Sequence, residues 1–141
     1  MGDKRLYILV PLTVQVEQMG DVPYTKTIRM ESGRLMAQCS HVGRRWENTM
    51  AEIANAMNDS TGFPYEEITT IVLSVRNSKE LAKVTDELME YAAGHADIAV
   101  EVFMDTNAMF YGTIEKVHTA TIIGQVYSED VDHIIGHLEL Y

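Results

Sequence analysis

A chain of 141 residues with 46% hydrophobic and 23% charged residues is sized for one domain with a buried core, and this balance excludes a disordered polypeptide. No apolar run approaches the ~20 residues that a bilayer span requires, and the single cysteine, Cys39, excludes an intramolecular disulfide. The formal net charge of −10 excludes tracking along a nucleic-acid duplex, but Lys26, Arg29, Arg34, Arg44 and Arg45 are opposed between residues 26 and 45 by Glu31 alone. Such a patch suits one phosphate-bearing ligand; the plainer reading is a solvated cluster of arginines.

Residues 1–141 show no repeat, low-complexity tract or linker, and read as a single domain. The stretch Met1–Leu6 lacks the apolar core of a secretory signal, and with one cysteine the expected compartment is the cytoplasm. Lys4 to Val14 reads as a strand around the run Leu6–Val10, weakening at Pro11. Residues 15–30, polar and containing Gly20 and Pro23, predict a long loop with room for a hairpin.

A helix follows. Ser32 is its expected N-cap, and Leu35, Cys39, Val42, Trp46, Met50, Ile53 and Met57 recur at spacings of three and four. Asp59–Gly62 and Pro64 are expected to stop it. Ile68–Val75 is a β-branched run typical of a strand covered on both faces. Asn77 or Ser78 then caps a helix carrying Leu81, Val84, Leu88 and Tyr91, which Gly94 ends. Ile98, Val100, Val102 and Met104 alternate with Ala99, Glu101 and Phe103, a strand period, and Val117–Ile123 reads as another strand. Ser128 is expected to cap a last helix whose first turn holds Glu129 and Asp130. The order β-α-β-α-β-β-α predicts an α/β fold, a mixed sheet with helices packed on it.

Four residues of the first helix, Arg34, Gln38, His41 and Arg45, stand at i, i+4, i+7 and i+11 and share a face. A helix start offers free N–H groups; Gly33 permits close approach, and Arg34 adds a guanidinium fork, so this face suits an anion or a developing oxyanion. An ordinary exposed polar face is the alternative. Asp105 ends a strand at the carboxyl side where α/β sheets place ligands, though Thr106 and Asn107 make it equally good turn material. Met104, Met109 and Phe110 are suited to floor a pocket. His133 and His137, at i and i+4, have a metal-gripping spacing without an evident third ligand. Cys39 lies on the apolar seam and reads as core.

The segment Gly33-Arg34-Leu35-Met36-Ala37-Gln38-Cys39-Ser40-His41 resembles the G-K-I-A-A-Q-C-S-H motif of type II peptidyl-tRNA hydrolases. Ile71–Val75 with Lys79-Glu80-Leu81 is similar to that family's K-I-V-L-K-V strand and following helix. Asp105, Gly112-Thr113, Thr119–Gly124 and His137–Leu140 resemble its D-A-G-R-T-Q, P-G-T, T-V-L-G-I-G and closing segments. The resemblance covers most of residues 30–141. It implies a mixed four-stranded sheet flanked by helices, a homodimer, and cleavage of the ester joining a peptide to the terminal ribose of tRNA, with no metal or other cofactor. It also implies catalytic roles for Asp105, His41, Thr119 and, in place of the family's lysine, Arg34; Gly33, Gln38, Arg45 and Arg29, from the helix face and the basic patch, are the residues expected to bind substrate.

Three departures bear on chemistry. Arg34 keeps the lysine's charge but does not exchange a proton near neutral pH. Met109 falls where the family's first threonine would be, preceded by Ala108 where the family has arginine, and Ser74 replaces the lysine of the second motif. Two functions therefore compete with one another: hydrolysis of peptidyl-tRNA or a related acyl ester, and a catalytically degenerate relative that binds tRNA or a protein. A metal-dependent hydrolase built on His133 and His137 is the third reading.

Overall fold

The computed structural model describes residues 3–18, 20–56 and 68–141. In chain order these form β1 (Lys4–Pro11), β2 (Thr13–Gln18), β3 (Tyr24–Arg29), α1 (Ser32–Ala56), β4 (Thr69–Val75), α2 (Ser78–Ala92) and β5 (Ala99–Asp105). There follow α3 (Ala108–Tyr111), β6 (Val117–Tyr127), α4 (Ser128–Ile135) and β7 (Glu139–Leu140). Met57 and the stop signals at residues 59–64 lie outside the described residues.

The sheet is mixed, as anticipated, but has five strands where four were expected, in the order β5-β6-β1-β4-β7. The extra strand is the two-residue β7, whose Leu140 and Glu139 pair with Leu73 and Ser74 at the edge. Strand β1 runs parallel to β4 and antiparallel to β6. Its side chains alternate between two cores. Ile8 and Val10 face the α1 side with Leu35, Val42, Trp46 and Met50, while Tyr7 and Leu9 face α2 and α4 with Leu73, Leu81, Leu88 and Ile134. Two-sided burial explains why β1 reads as a continuous apolar run.

The expected strand from Lys4 to Val14 is in fact broken at Leu12. Leu12 donates its N–H to Val75 and accepts from Met30 N–H, and the chain leaves the sheet there to form the antiparallel β2–β3 hairpin. Val14 and Val16 are buried under the hairpin, whereas Thr13, Gln15 and Glu17 are not. The sequence leaves residues 15–30 as a loop because β3 exposes all but Ile28 and so carries little apolar signal.

Two caps also differ from expectation. Leu35 N–H already reaches the Glu31 carbonyl at 3.0 Å, so Ser32 is inside α1 and not its cap. At α4 the cap position is Tyr127, with no side-chain hydrogen bond, and Ser128 is helical. Asn77 does cap α2, its side chain accepting from Glu80 N–H at 2.9 Å. Strand β6 runs on past Ile123 to Tyr127, and passes under Trp46, whose indole N–H donates to the Gly124 carbonyl at 3.1 Å. A Cβ at Gly124 would meet the end of the Leu6 side chain, which would have to shift, and would press on Trp46.

Candidate active site

Helix α1 lies along the edge strand β5 in the opposite direction, and the contacts follow the two periods. Residues 101, 103 and 105 share one face of β5. Thr49 donates to Glu101, the His41 ring stacks on Phe103 with centroids 4.7 Å apart, and Gln38 Nε2 donates to Asp105 Oδ2 at 2.8 Å. The polar stripe read from the sequence is thus not a solvated face. Its first three residues meet β5 as a seam, with Gln38 buried to 3% exposure, while Arg45 alone stays free of that seam and exposed.

At the top of this seam the start of α1 meets the end of β5. Arg34 Nη1 sits 3.7 Å from Asp105 Oδ2. The guanidinium carbon lies 3.6 Å from the centre of the Phe110 ring, so one face of the cation is covered and its edges stay available. Tyr111 donates its hydroxyl to the same Asp105 Oδ2 at 2.7 Å. Burial, followed by the hydrogen bond to Asp105 and its negative charge, pushes the Tyr111 phenol well above its ordinary value, so it keeps its proton and remains the donor. Two hydrogen-bond donors and one cation therefore converge on Oδ2, while no described group donates to Oδ1.

Glu31, Arg34, Ala37, Gln38, His41, Asp105 and Phe110 line an open cavity of about 430 Å³. Gln38 Oε1 is buried beside it without a partner. A cation, a carboxylate with one uncommitted oxygen and an imidazole on the rim can hold an anionic or acyl group and a water together.

The other expected site residues fall in different places. Gly33 and Arg45 are exposed on α1, Gly33 with open space where a Cβ would stand. Arg29 ends β3 and lines an adjacent cavity of about 690 Å³ with Leu12, Met30, Ser32 and Tyr141. Thr119 does not reach the cavity. Pairing of β5 and β6 slips between Phe103 and Met104, leaving Thr119 as the unpaired residue of a bulge, fully buried and with its hydroxyl unpartnered. It is not among the residues that line the cavity with Asp105. Phe110 does line the pocket, but Met109 points into solvent at 99% exposure. His133 and His137 line separate hollows, one with Glu87 and Glu90, the other with Ser74 and Arg76, so their helical spacing does not bring them to one ion. Cys39 packs half-buried against the core, its thiol pushed up by burial.

Sequence reasoning missed Tyr111. The available signal was the pair Asn107 and Gly112 flanking a single helical turn: Asn107 accepts from Phe110 N–H, and Gly112 closes α3 at a φ of 72°.

Fold and cavity together define a class: a mixed-sheet α/β domain with an open cavity, lined by a cation and a carboxylate, where the start of its first long helix meets the carboxyl end of an edge strand. The family follows from comparison. Residues 24–141 match the model of peptidyl-tRNA hydrolase PTH2, and the chain belongs to that family. The match opens at β3, so β1 and β2 precede it. Comparison with curated proteins finds no match.

Proposed function

We propose that this chain hydrolyses the ester between a peptide, or a related acyl group, and the terminal ribose of tRNA. The observation that carries the reading is the pairing of Arg34 with an Asp105 carboxylate whose second oxygen is uncommitted at an open cavity. Water bound to Oδ1 attacks the ester carbonyl carbon and gives a proton to Asp105. The tetrahedral oxyanion is met by the Arg34 guanidinium and the free N–H groups at the start of α1. Collapse breaks the bond to the ribose oxygen, which recovers the proton from Asp105. The products are a free carboxylic acid and a free tRNA hydroxyl. Arg34 stays protonated throughout and supplies charge only, which is all this route asks of it.

His41, exposed at the rim and fixed on Phe103, positions the substrate. Gln38 orients Asp105 and offers Oε1 to a substrate donor, while Gly33 and Arg45, exposed on α1, and Arg29, in the adjacent cavity, meet phosphates. The test is release of peptide from an N-blocked aminoacyl-tRNA. Wild type is expected to turn over, and Asp105→Asn to lose about 10²- to 10⁴-fold in kcat, the usual worth of a positioned acid–base group. Equal rates for the two proteins at the level of spontaneous hydrolysis would remove the reading.

One observation favours a second function, a tRNA-binding relative without turnover: Met109, at the position where the resemblance calls for a hydroxyl, faces solvent and gives the cavity nothing. Binding in a gel-shift salt series without peptide release would support it.

A further inference from the structure

Helix α3 is a single turn of four residues, too short to hold itself in place. Its position must come from outside, and two ties supply it. Gln18, the last residue of β2, donates its side-chain amide to the Tyr111 carbonyl at 2.9 Å. The same side chain occupies the space a Cβ at Gly112 would need, so the hairpin and the end of α3 interlock. The hairpin is in turn anchored at its other side, where Gln15 Oε1 accepts from the Ser78 hydroxyl at 2.6 Å at the start of α2. From α3 the chain of contacts continues inward: Tyr111 is fully buried and its hydroxyl ends on Asp105 Oδ2.

We propose that Tyr111 is a positioning residue for Asp105 and that the β2–β3 hairpin sets it through Gln18. Tyr111 and Gln38 approach Oδ2 from two elements, α3 and α1, which fixes the plane of the carboxylate. Oδ1 is left as the oxygen that can take a water. The hairpin, most of which lies before the segment that matches the family, is on this view a brace for the reacting carboxylate. Removing the phenol hydroxyl takes away one donor and leaves the carboxylate freer to turn and easier to protonate.

The inference rests on the reading of Asp105 as the water-holding group, but its test does not need turnover. Aspartate carboxyl carbons labelled with carbon-13 are titrated by NMR, the Asp105 signal being the one that Asp105→Asn removes. Tyr111→Phe is expected to move its midpoint up by about one pH unit, the scale of one lost hydrogen bond to a charged group. Gln18→Ala is expected to move it the same way by less, and Thr85→Val, in the other core, not at all. In active protein the acidic limb of the rate profile follows the same order, with kcat falling and KM held. An unmoved midpoint in Tyr111→Phe overturns the positioning role. An unmoved midpoint in Gln18→Ala alone overturns the hairpin's part, and a shift in Thr85→Val would show general loosening and overturn both. Wild-type protein that titrates as expected yet releases no peptide would count against ester hydrolysis and leave the brace standing.

Discussion

The two sides of the sheet each bury a small polar network, and they differ in one respect that separates structure from chemistry. On the α2 side Thr85 and Thr121 share a hydrogen bond of 2.6 Å, and His118 Nε2 meets the Thr121 hydroxyl at 2.8 Å. Thr85 and Thr121 are sealed, and every hydroxyl in that trio is matched. On the α1 side Asp105 is held at one oxygen by Gln38, Tyr111 and Arg34 and keeps the other oxygen free beside a cavity. Polarity inside a core is common when satisfied; a charged acceptor with an open lone pair at a solvent-reaching hollow is what gives the second network something to do.

The comparison can be broken from the active side first. After the loss already expected for Asp105→Asn, Arg34→Ala is expected to lower kcat by about 10²- to 10³-fold, since it removes both the oxyanion partner and one restraint on the carboxylate. Arg34→Lys, which keeps the charge, is expected to recover most of that loss in the peptide-release assay. A fall in Arg34→Lys as deep as in Arg34→Ala would mean that the fork, not the charge, is what matters.

Thr121→Val is the matching cut on the quiet side. It strands Thr85 and His118, and denaturant unfolding should show a loss of about 1–3 kcal/mol, with peptide release per folded molecule unchanged. If turnover falls with stability, the two networks are coupled across β6 and the contrast fails.

The smallest effect expected is in pH. Burial holds His118 below its ordinary value of 6.5, so the folded state resists taking a proton that the unfolded chain accepts. Stability is therefore full above about 6.5 and declines as the pH falls through the window beneath it. His118→Gln is expected to flatten that part of the stability profile, read as midpoint against pH.

How far the sequence foretold this arrangement depended on how regular each element is. Leu6–Val10 and Ile71–Val75 are unbroken apolar or β-branched runs apart from Ser74, the Leu35–Met50 seam has a strong helical period, and each became the element expected. The hairpin was harder because Val14 and Val16 alternate for too few residues and β3 is nearly all exposed. Strand β7 has two residues and no pattern at all. At the site, Arg34, Gln38 and His41 were legible from helical spacing, and Asp105 from its place after a strand. Tyr111 was not, because a four-residue turn aims its phenol only once Gln18 and the α1 core have fixed where that turn sits. The setting of Thr119 was hidden for the converse reason: a bulge, invisible in one-dimensional alternation, leaves it without a partner residue on β5.

The anchoring of Asp105 by α1 and α3 also bears on the cavity as a whole. Turning that carboxylate aside would strip partners from both helices at once, so the inner wall of the cavity is tied at this point from two sides. The outer lip is different: Glu31, Ala37 and His41 are exposed there, and no side-chain hydrogen bond ties them to another described residue. The cavity therefore has two unlike sides, a wall cross-tied by two helices and a lip that is not tied.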